Sequence, residues 1–433
     1  MEGPLIPVIV FLLVFVAVAF ELVNKAVAAL CGVAILVALR IVGQHEMIAL
    51  IDFETVILLM GMMIIVSVLR SSGVFTMVSV KVAEFAGGSP LKILILFSGI
   101  TATMSAFLDN VTTVLIVVPI LVELTKGMGL QPRIFVISQA LVSNIAGTAT
   151  LIGDPPNIII GSKVGLTFNQ FIAHMCLPVV VILIASVGFI WWANRKTFRP
   201  IHTDLVKLFS VQLLLEKIRF QFMDRRLDKA LIIKGLTCLG VALVLFTTQT
   251  ITKLSPGVAA LSVAMFLLLV SRADLEKVLE DVEWSTLLFF CGLFILVGAL
   301  EKNGVTEWIA GVFMKIGQNP YVIVLTVLWV SGMVSGFLDN IPFTITMIPV
   351  IQYILQSNPI PNNILWWALA LGACLGGNLT YIGASANIVA VGISKRHQED
   401  ITFIDFLKTS VAVTMISLLL ASAYLVIFLW ISL

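Results

Sequence analysis

The chain has 433 residues and a net charge of +2; 60% of its residues are hydrophobic and 12% charged, with mean hydropathy +1.11. Soluble domains carry about 25% charged and about 45–50% apolar residues, so this composition describes an integral membrane protein and excludes a soluble globular one. The basic residues are scattered or flank apolar runs, which excludes nucleic acid as a partner and makes the lipid bilayer the surrounding medium.

The first 20 residues, MEGPLIPVIVFLLVFVAVAF, have no basic leader and carry Glu2. Their apolar run reaches the ~20 residues needed to span a bilayer, so they read as a transmembrane helix of the mature protein rather than a signal peptide. Further apolar runs follow at 24–41, 53–70, 91–124, 131–165 and 172–194, and a second set lies at 230–249, 254–271, 284–300, 320–356, 361–393 and 409–432. Backbone amides must be paired within lipid, so these are helices. Cys31, Cys176, Cys238, Cys291 and Cys374 fall in or beside apolar stretches without a CxxC spacing and read as buried small hydrophobes.

Two runs in each half are interrupted. The run 91–124 is too long for one crossing and is broken by Asp109-Asn110; 131–165 is broken by GDPPN, Gly153 to Asn157. Consecutive prolines remove two amide donors and stop a helix. Polar, irregular backbone at membrane depth is tolerated only inside protein or beside a watery cavity. The segments at 73–88 and 304–317 are short and amphipathic and suit interfacial helices. Segment 195–229 carries nine Lys and Arg and reads as a cytoplasmic linker. Its stretch 205–222 is either an amphipathic helix on the membrane face or an ordinary basic linker.

If 91–124 and 320–356 are re-entrant hairpins, each half crosses five times and both termini lie outside. Of the 26 Lys and Arg, all but Arg40, Lys163, Lys253, Lys302 and Lys315 then fall on the inner side.

The halves repeat. Ser105-Ala-Phe-Leu-Asp-Asn110 matches Ser335-Gly-Phe-Leu-Asp-Asn340 at an offset of 230, Pro119 matches Pro349, and IGDPPN ending at Asn157 matches IGASAN ending at Asn387. An odd number of crossings per half makes the copies inverted, an architecture that places ion and substrate sites at the midplane between broken helices. The expected fold is therefore all-α, with inverted repeats at 1–194 and 230–433 joined by the linker 195–229. Each repeat has about five transmembrane helices, a re-entrant hairpin and a broken helix.

The candidate site residues cluster at these breaks. Asp109 and Asp339 at the tips are expensive in a bilayer unless they pair with a cation, take up a proton or cap the helix that follows. Burial favours the neutral carboxyl and a bound cation the ionised one, so such a group can exchange H⁺ for Na⁺. Asn110, Asn340, Asn157 and Asn387 offer carbonyls to a hard cation or amides to an anion. Thr112 and Thr113 add hydroxyls in the first half only. Asp154 has Ala384 as its counterpart, which leaves a third carboxylate in one half and suggests divided labour, or a cap. Thr148, Thr150, Asn378, Thr380 and Ser385 sit beside the breaks. The half-helix N-termini suit anions equally, but three acids without a basic residue in the motifs favour a cation. His174 stands alone on an apolar run and reads as structural. The Gly-rich stretch 372–378 lacks the Lys-Ser/Thr of a phosphate loop and suits close helix packing. No nucleophilic triad, zinc spacing or nucleotide motif points to an enzyme.

SAFLDNVTT, IGDPPN, FLDNIPFT and the pair GACLGGN and IGASAN resemble the P protein family. More widely they resemble the arsenite permease and sodium/proton antiporter branch of the ion transporter superfamily, over nearly the whole chain. The resemblance implies a homodimer whose transport part moves elevator-fashion in the cell membrane. It implies ion sites between the tips Asp109-Asn110 and Asp339-Asn340 and the breaks at Asp154–Asn157 and Ser385–Asn387. Na⁺ or H⁺ would be the coupling ion, with no other cofactor. The expected activity is Na⁺/H⁺-coupled antiport of a small inorganic ion; the alternatives are efflux of arsenite or another anion, and a chloride-type channel.

Overall fold

Apolar helices punctuated by caps at the predicted breaks make up the computed structural model, which describes residues 5–20, 22–198, 228–316, 319–358, 360–361 and 363–433. The first half holds α1 (Leu5–Ala19), α2 (Lys25–Ala38), α3 (Gln44–Leu50), α4 (Phe53–Ser71), α5 (Val74–Ala86), α6 (Pro90–Phe107), α7 (Asn110–Gly127), α8 (Pro132–Gly147), α9 (Pro155–Val164) and α10 (Phe168–Ala193). The second holds α11 (Lys229–Thr247), α12 (Gln249–Thr252), α13 (Pro256–Ser271), α14 (Leu275–Glu280), α15 (Trp284–Lys302), α16 (Val305–Ile316), α17 (Pro320–Ser335), α18 (Asn340–Ser357), α19 (Ile364–Gly376), α20 (Ser385–Arg396) and α21 (Phe403–Ser432). Among the described residues seven helices, α4, α6, α7, α10, α11, α15 and α21, are long and apolar enough to cross a membrane. The chain is a multi-pass membrane protein.

Local chemistry sets the boundaries. Pro90, Pro132, Pro155, Pro256 and Pro320 open helices, where the missing amide would be unpaired anyway. Both long broken runs end a helix just before Leu-Asp-Asn, and the aspartate caps the next one. α10 starts at Phe168, ahead of the apolar run at 172, because Thr167 and Gln170 form a capping box. The short helices α3, α12 and α14 carry too little apolar periodicity to be read from sequence. The amphipathic stretch at 205–222 lies outside the described residues.

Repeat-equivalent helices run in opposite directions. α4 and α15 start 231 residues apart, at 53 and 284. Lys302 at the end of α15 bonds Glu46, just before α4, at 2.8 Å. At the opposite end, Ser67 of α4 donates to Asp281, just before α15, at 2.9 Å. Likewise Arg133, opening α8, pairs at 2.9 Å with Asp405, which follows the exit of α20. The start of α8 therefore lies beside the far end of the run formed by its counterpart, α19, and α20. This is an inverted duplication.

Close approach of helices holds the bundle together, both between the halves and within them, as expected where lipid removes the hydrophobic contrast and packing decides. A methyl on Gly61 of α4 would lie 2.7 Å from the Ala260 backbone of α13, and one on Gly372 of α19 would lie 2.6 Å from the Leu328 carbonyl of α17. The glycine-rich stretch thus serves packing. His174 packs with tilted rings against Trp367 and Phe428, which makes it structural.

Candidate functional site

Each hairpin tip is sewn to its own broken helix by the same set of bonds. Ser105 donates to the Ser143 carbonyl at 2.7 Å, and Ser335 donates to the equivalent Ala373 carbonyl at 2.6 Å. Thr150 donates to Ala106 at 2.5 Å, and Thr380 donates to Gly336 at 2.6 Å. Each threonine hydroxyl also accepts the amide of Gly153 or Gly383. The unwound segments leave orphan carbonyls, and an asparagine one turn into each second half-helix satisfies them. Asn157 donates to the carbonyls of Thr148 at 3.1 Å and Thr150 at 2.8 Å; Asn387 donates to those of Gly377 at 2.9 Å and Thr380 at 3.1 Å. A methyl on Gly153 would sit 2.8 Å from the Ser105 carbonyl, so only glycine lets tip and break lie this close.

The halves then interlock. Asn144, buried on α8, donates to Asn378 at 2.8 Å and Asn387 at 2.9 Å in the other half. Its repeat counterpart is Cys374, whose thiol lies 3.6 Å from the Asn157 oxygen. The Asn110 amide bonds Ser105, and its NH₂ faces the carbonyls of Ser143 and Gly153 at 3.1 and 3.2 Å. Asn340 donates to Asp154 at 3.4 Å across the interface between the halves.

A compartment of about 60 Å³ forms where these elements converge. Asp109, Asn110, Asp154, Asn340 and Ser385 line it together with Asn144, Glu283, Thr286 and Lys25. A larger cavity of about 360 Å³ adjoins it through the shared residues Lys25 and Ser385, and is lined by Asp339, Asn24 and Pro342 among others. On the other side a cleft of about 40 Å³ leads from Asp109 and Thr112 past Glu283 to Asp281 and Arg70, which are 38% and 46% exposed in their side chains.

Of the expected site residues, five meet in the small compartment. Asp339 lies in the larger cavity instead, so the two tip acids do not share one pocket. Asp109 and Asp339 also cap their helices, accepting from Thr112 at 2.7 Å and Ile341 at 3.3 Å; Asp154 accepts no such cap bond. Asn157, Asn387, Asn378, Thr148, Thr150, Thr380 and Thr113 line none of these three cavities. The first six are committed to the bonds of the breaks, with Thr148 donating to the Asn144 carbonyl at 2.8 Å. Thr113 is buried with no partner for its hydroxyl.

Sequence reasoning missed Asn144, Lys25 and Glu283. Asn144 faces Cys374 in the repeat alignment, a polar residue within an apolar run, and that mismatch was the available signal. Lys25 and Glu283 stand next to spans and read as ordinary flanking charges.

Inverted broken helices around buried carboxylates and amides, in a multi-pass membrane protein, define a membrane transporter of the ion-transporter type rather than an enzyme. The chain belongs to the CitMHS family, described as citrate transporter, whose model matches residues 15–372. An uncharacterized transporter of Mycobacterium tuberculosis is 38% identical over 97% of both chains, and a 46 kDa membrane protein of Mycobacterium leprae is equally similar. The P protein of Sus scrofa is 34% identical over 96% of this chain and 58% of its own length. The YdaH transporter of Alcanivorax borkumensis shares the fold, at TM-score 0.52 and 12% identity over 89% of this chain and 87% of its own.

Proposed function

We propose that this chain is a secondary active transporter driven by Na⁺ or H⁺, with Na⁺/H⁺ exchange as its elementary activity. One observation carries the reading: the small compartment gathers three carboxylates, Asp109, Asp154 and Glu283, with amides contributed by both halves, in a volume suited to a single ion with its ligands. Oxygen ligands of this kind suit hard cations, and a carboxylate that alternates between proton and metal couples their fluxes. The tip amides and acids Asn110, Asn340 and Asp339 complete the ion path. The resemblance supports a homodimer in the cytoplasmic membrane, with the linker inside, both termini outside and an elevator-like motion. Efflux of arsenite or passage of chloride fits the acidic lining less well.

The experiment is a sodium jump on liposomes that contain the purified protein and a pH-sensitive dye. Wild type is expected to convert the sodium gradient into a pH difference, and Asp109→Asn and Asp154→Asn to abolish it. Asparagine keeps a cap acceptor for Thr112, so Asp109→Asn tests charge rather than folding. Sodium-independent movement of chloride or arsenite that survives both substitutions sinks this reading.

A second reading has its own support. The 360 Å³ cavity is far larger than an inorganic ion requires, and the family is described by citrate. On this reading the same cation drives a small organic anion.

A further inference from the structure

We propose that Lys25 is the anion-holding group of the larger cavity: its ammonium takes a carboxylate of a small organic acid while the coupling cation occupies the adjoining compartment. This rests on the cation-coupled reading above and assigns the anion a place that neither repeat motif supplies.

Lys25 is the one basic side chain among the residues lining these two cavities, and it lines both. Among the described residues it has no ion-pair or hydrogen-bond partner for its ammonium, which instead lies 5.5 Å from the centre of the Phe289 ring. The Asp339 carboxylate in the same cavity makes no direct ion pair with it, so the donors of the ammonium stay free for an anionic ligand. Lys25 is also the first residue of α2, where the helix dipole disfavours a cation, so local helix preference does not explain it. Four acids, Asp109, Asp154, Glu283 and Asp339, surround the two cavities. Lys25 is the one positive charge lining these cavities to offset them.

The inverted repeat supplies an internal comparison. At the offset of 231 that relates α2 to α13, Lys25 corresponds to Pro256 and Asn24 to Ser255. Ser255 and Pro256 line a cavity of only about 150 Å³ that reaches neither tip aspartate. There Glu54 caps α13, accepting from Ser255 at 2.8 Å and from the Gly257 amide at 2.5 Å. The same architectural position is thus cationic and beside a tip aspartate in one half, and uncharged, bonded by an acid and away from both tip aspartates in the other. Ala384 in place of an aspartate keeps a carboxylate away from the break on the Lys25 side, whereas Asp154 puts one at the other break.

The test is calorimetric titration of the purified full-length protein with citrate in the presence of Na⁺, and separately with Na⁺ alone. Citrate is expected to bind wild type; Lys25→Met is expected to weaken it about tenfold or more and Lys25→Arg far less. Na⁺ affinity in Lys25→Met should hold or tighten, since a positive charge has left the neighbourhood of the acids. The opposite signs separate a binding role from a folding defect, which would weaken both. Unchanged citrate affinity in Lys25→Met overturns the proposal, as does parallel loss of citrate and Na⁺ binding. Wild type that binds Na⁺ but no citrate overturns it while leaving cation coupling intact. Wild type that binds neither overturns the cation reading with it.

Discussion

Asp154→Asn exchanges a carboxylate for an amide of nearly the same shape in a compartment of about 60 Å³. A cation coordinated there by Asp154 lies about 4 Å or less from its carboxylate. At that separation and an effective dielectric of ~20, the attraction is about 4 kcal/mol. The amide oxygen remains a neutral ligand and keeps part of this, leaving a loss of roughly 2–3 kcal/mol and a Kd for Na⁺ raised about 30- to 150-fold. Little structural cost is expected, because Asp154 caps no helix and its partner Asn340 can donate to an amide oxygen as well. The assay is equilibrium binding of radioactive sodium to purified protein, with a melting curve as control. Unchanged affinity in a variant that melts like wild type refutes the placement of the cation beside Asp154.

Other consequences concern the frame. Asn144→Leu strands the oxygens of Asn378 and Asn387 and is expected to cost about 2–4 kcal/mol, read as a lowered Tm. Asn144→Cys, which installs the residue of the other half, should cost less. Thr380→Val keeps the shape but removes the bond from hairpin to break; it should cost about 1–2 kcal/mol and speed amide exchange around Gly383 without changing ion selectivity. Gly372→Val forces α19 from α17 and should cost about 3 kcal/mol or more, seen as loss of folded protein in detergent. Glu46 is held below the usual carboxylate range by the bond from Lys302 and then the Gly43 amide. A lowered folded pKa contributes stability above the unfolded value that is lost as pH falls through the folded one. Glu46→Gln should therefore lower Tm slightly at pH 7, where the ionised carboxylate contributes, and flatten the loss of Tm on acidification below about pH 4.5.

The frame was legible because it is written in backbone chemistry. A cap, a proline pair or an acid inside an apolar run each has one local meaning, and the repeat at 230 doubled every signal. Asp109-Asn110 and Asp154–Asn157 fall where the helices break, as their residue types require. The assignment of roles was less legible. Asn157 and Asn387 attract attention as polar residues at membrane depth, yet their NH₂ groups are taken by orphan carbonyls. The placement of the first turn of α2 near the second tip brings Lys25 to the cavity, and the crossing of the halves brings Glu283 beside Asp109. Both are consequences of packing between segments far apart in sequence. No local pattern encodes them.

Comparison of the two halves position by position separates structure from function without an alignment of relatives. The pairs Ser105 and Ser335, Thr150 and Thr380, and Asn157 and Asn387 make the same bonds in both copies, so these bonds belong to the fold. The unequal pairs lie where the cavities meet: Asp154 against Ala384, Asn144 against Cys374, Lys25 against Pro256, and Thr112-Thr113 against Pro342-Phe343. A fold that needed charge at both breaks would have kept it in both. Asp154 adds negative charge at the first break and Lys25 positive charge near the second tip, and Lys25 and Ser385 line both cavities. That division is what a site needs if it holds a cation and an anion at once and lets each change the other's affinity through their shared wall.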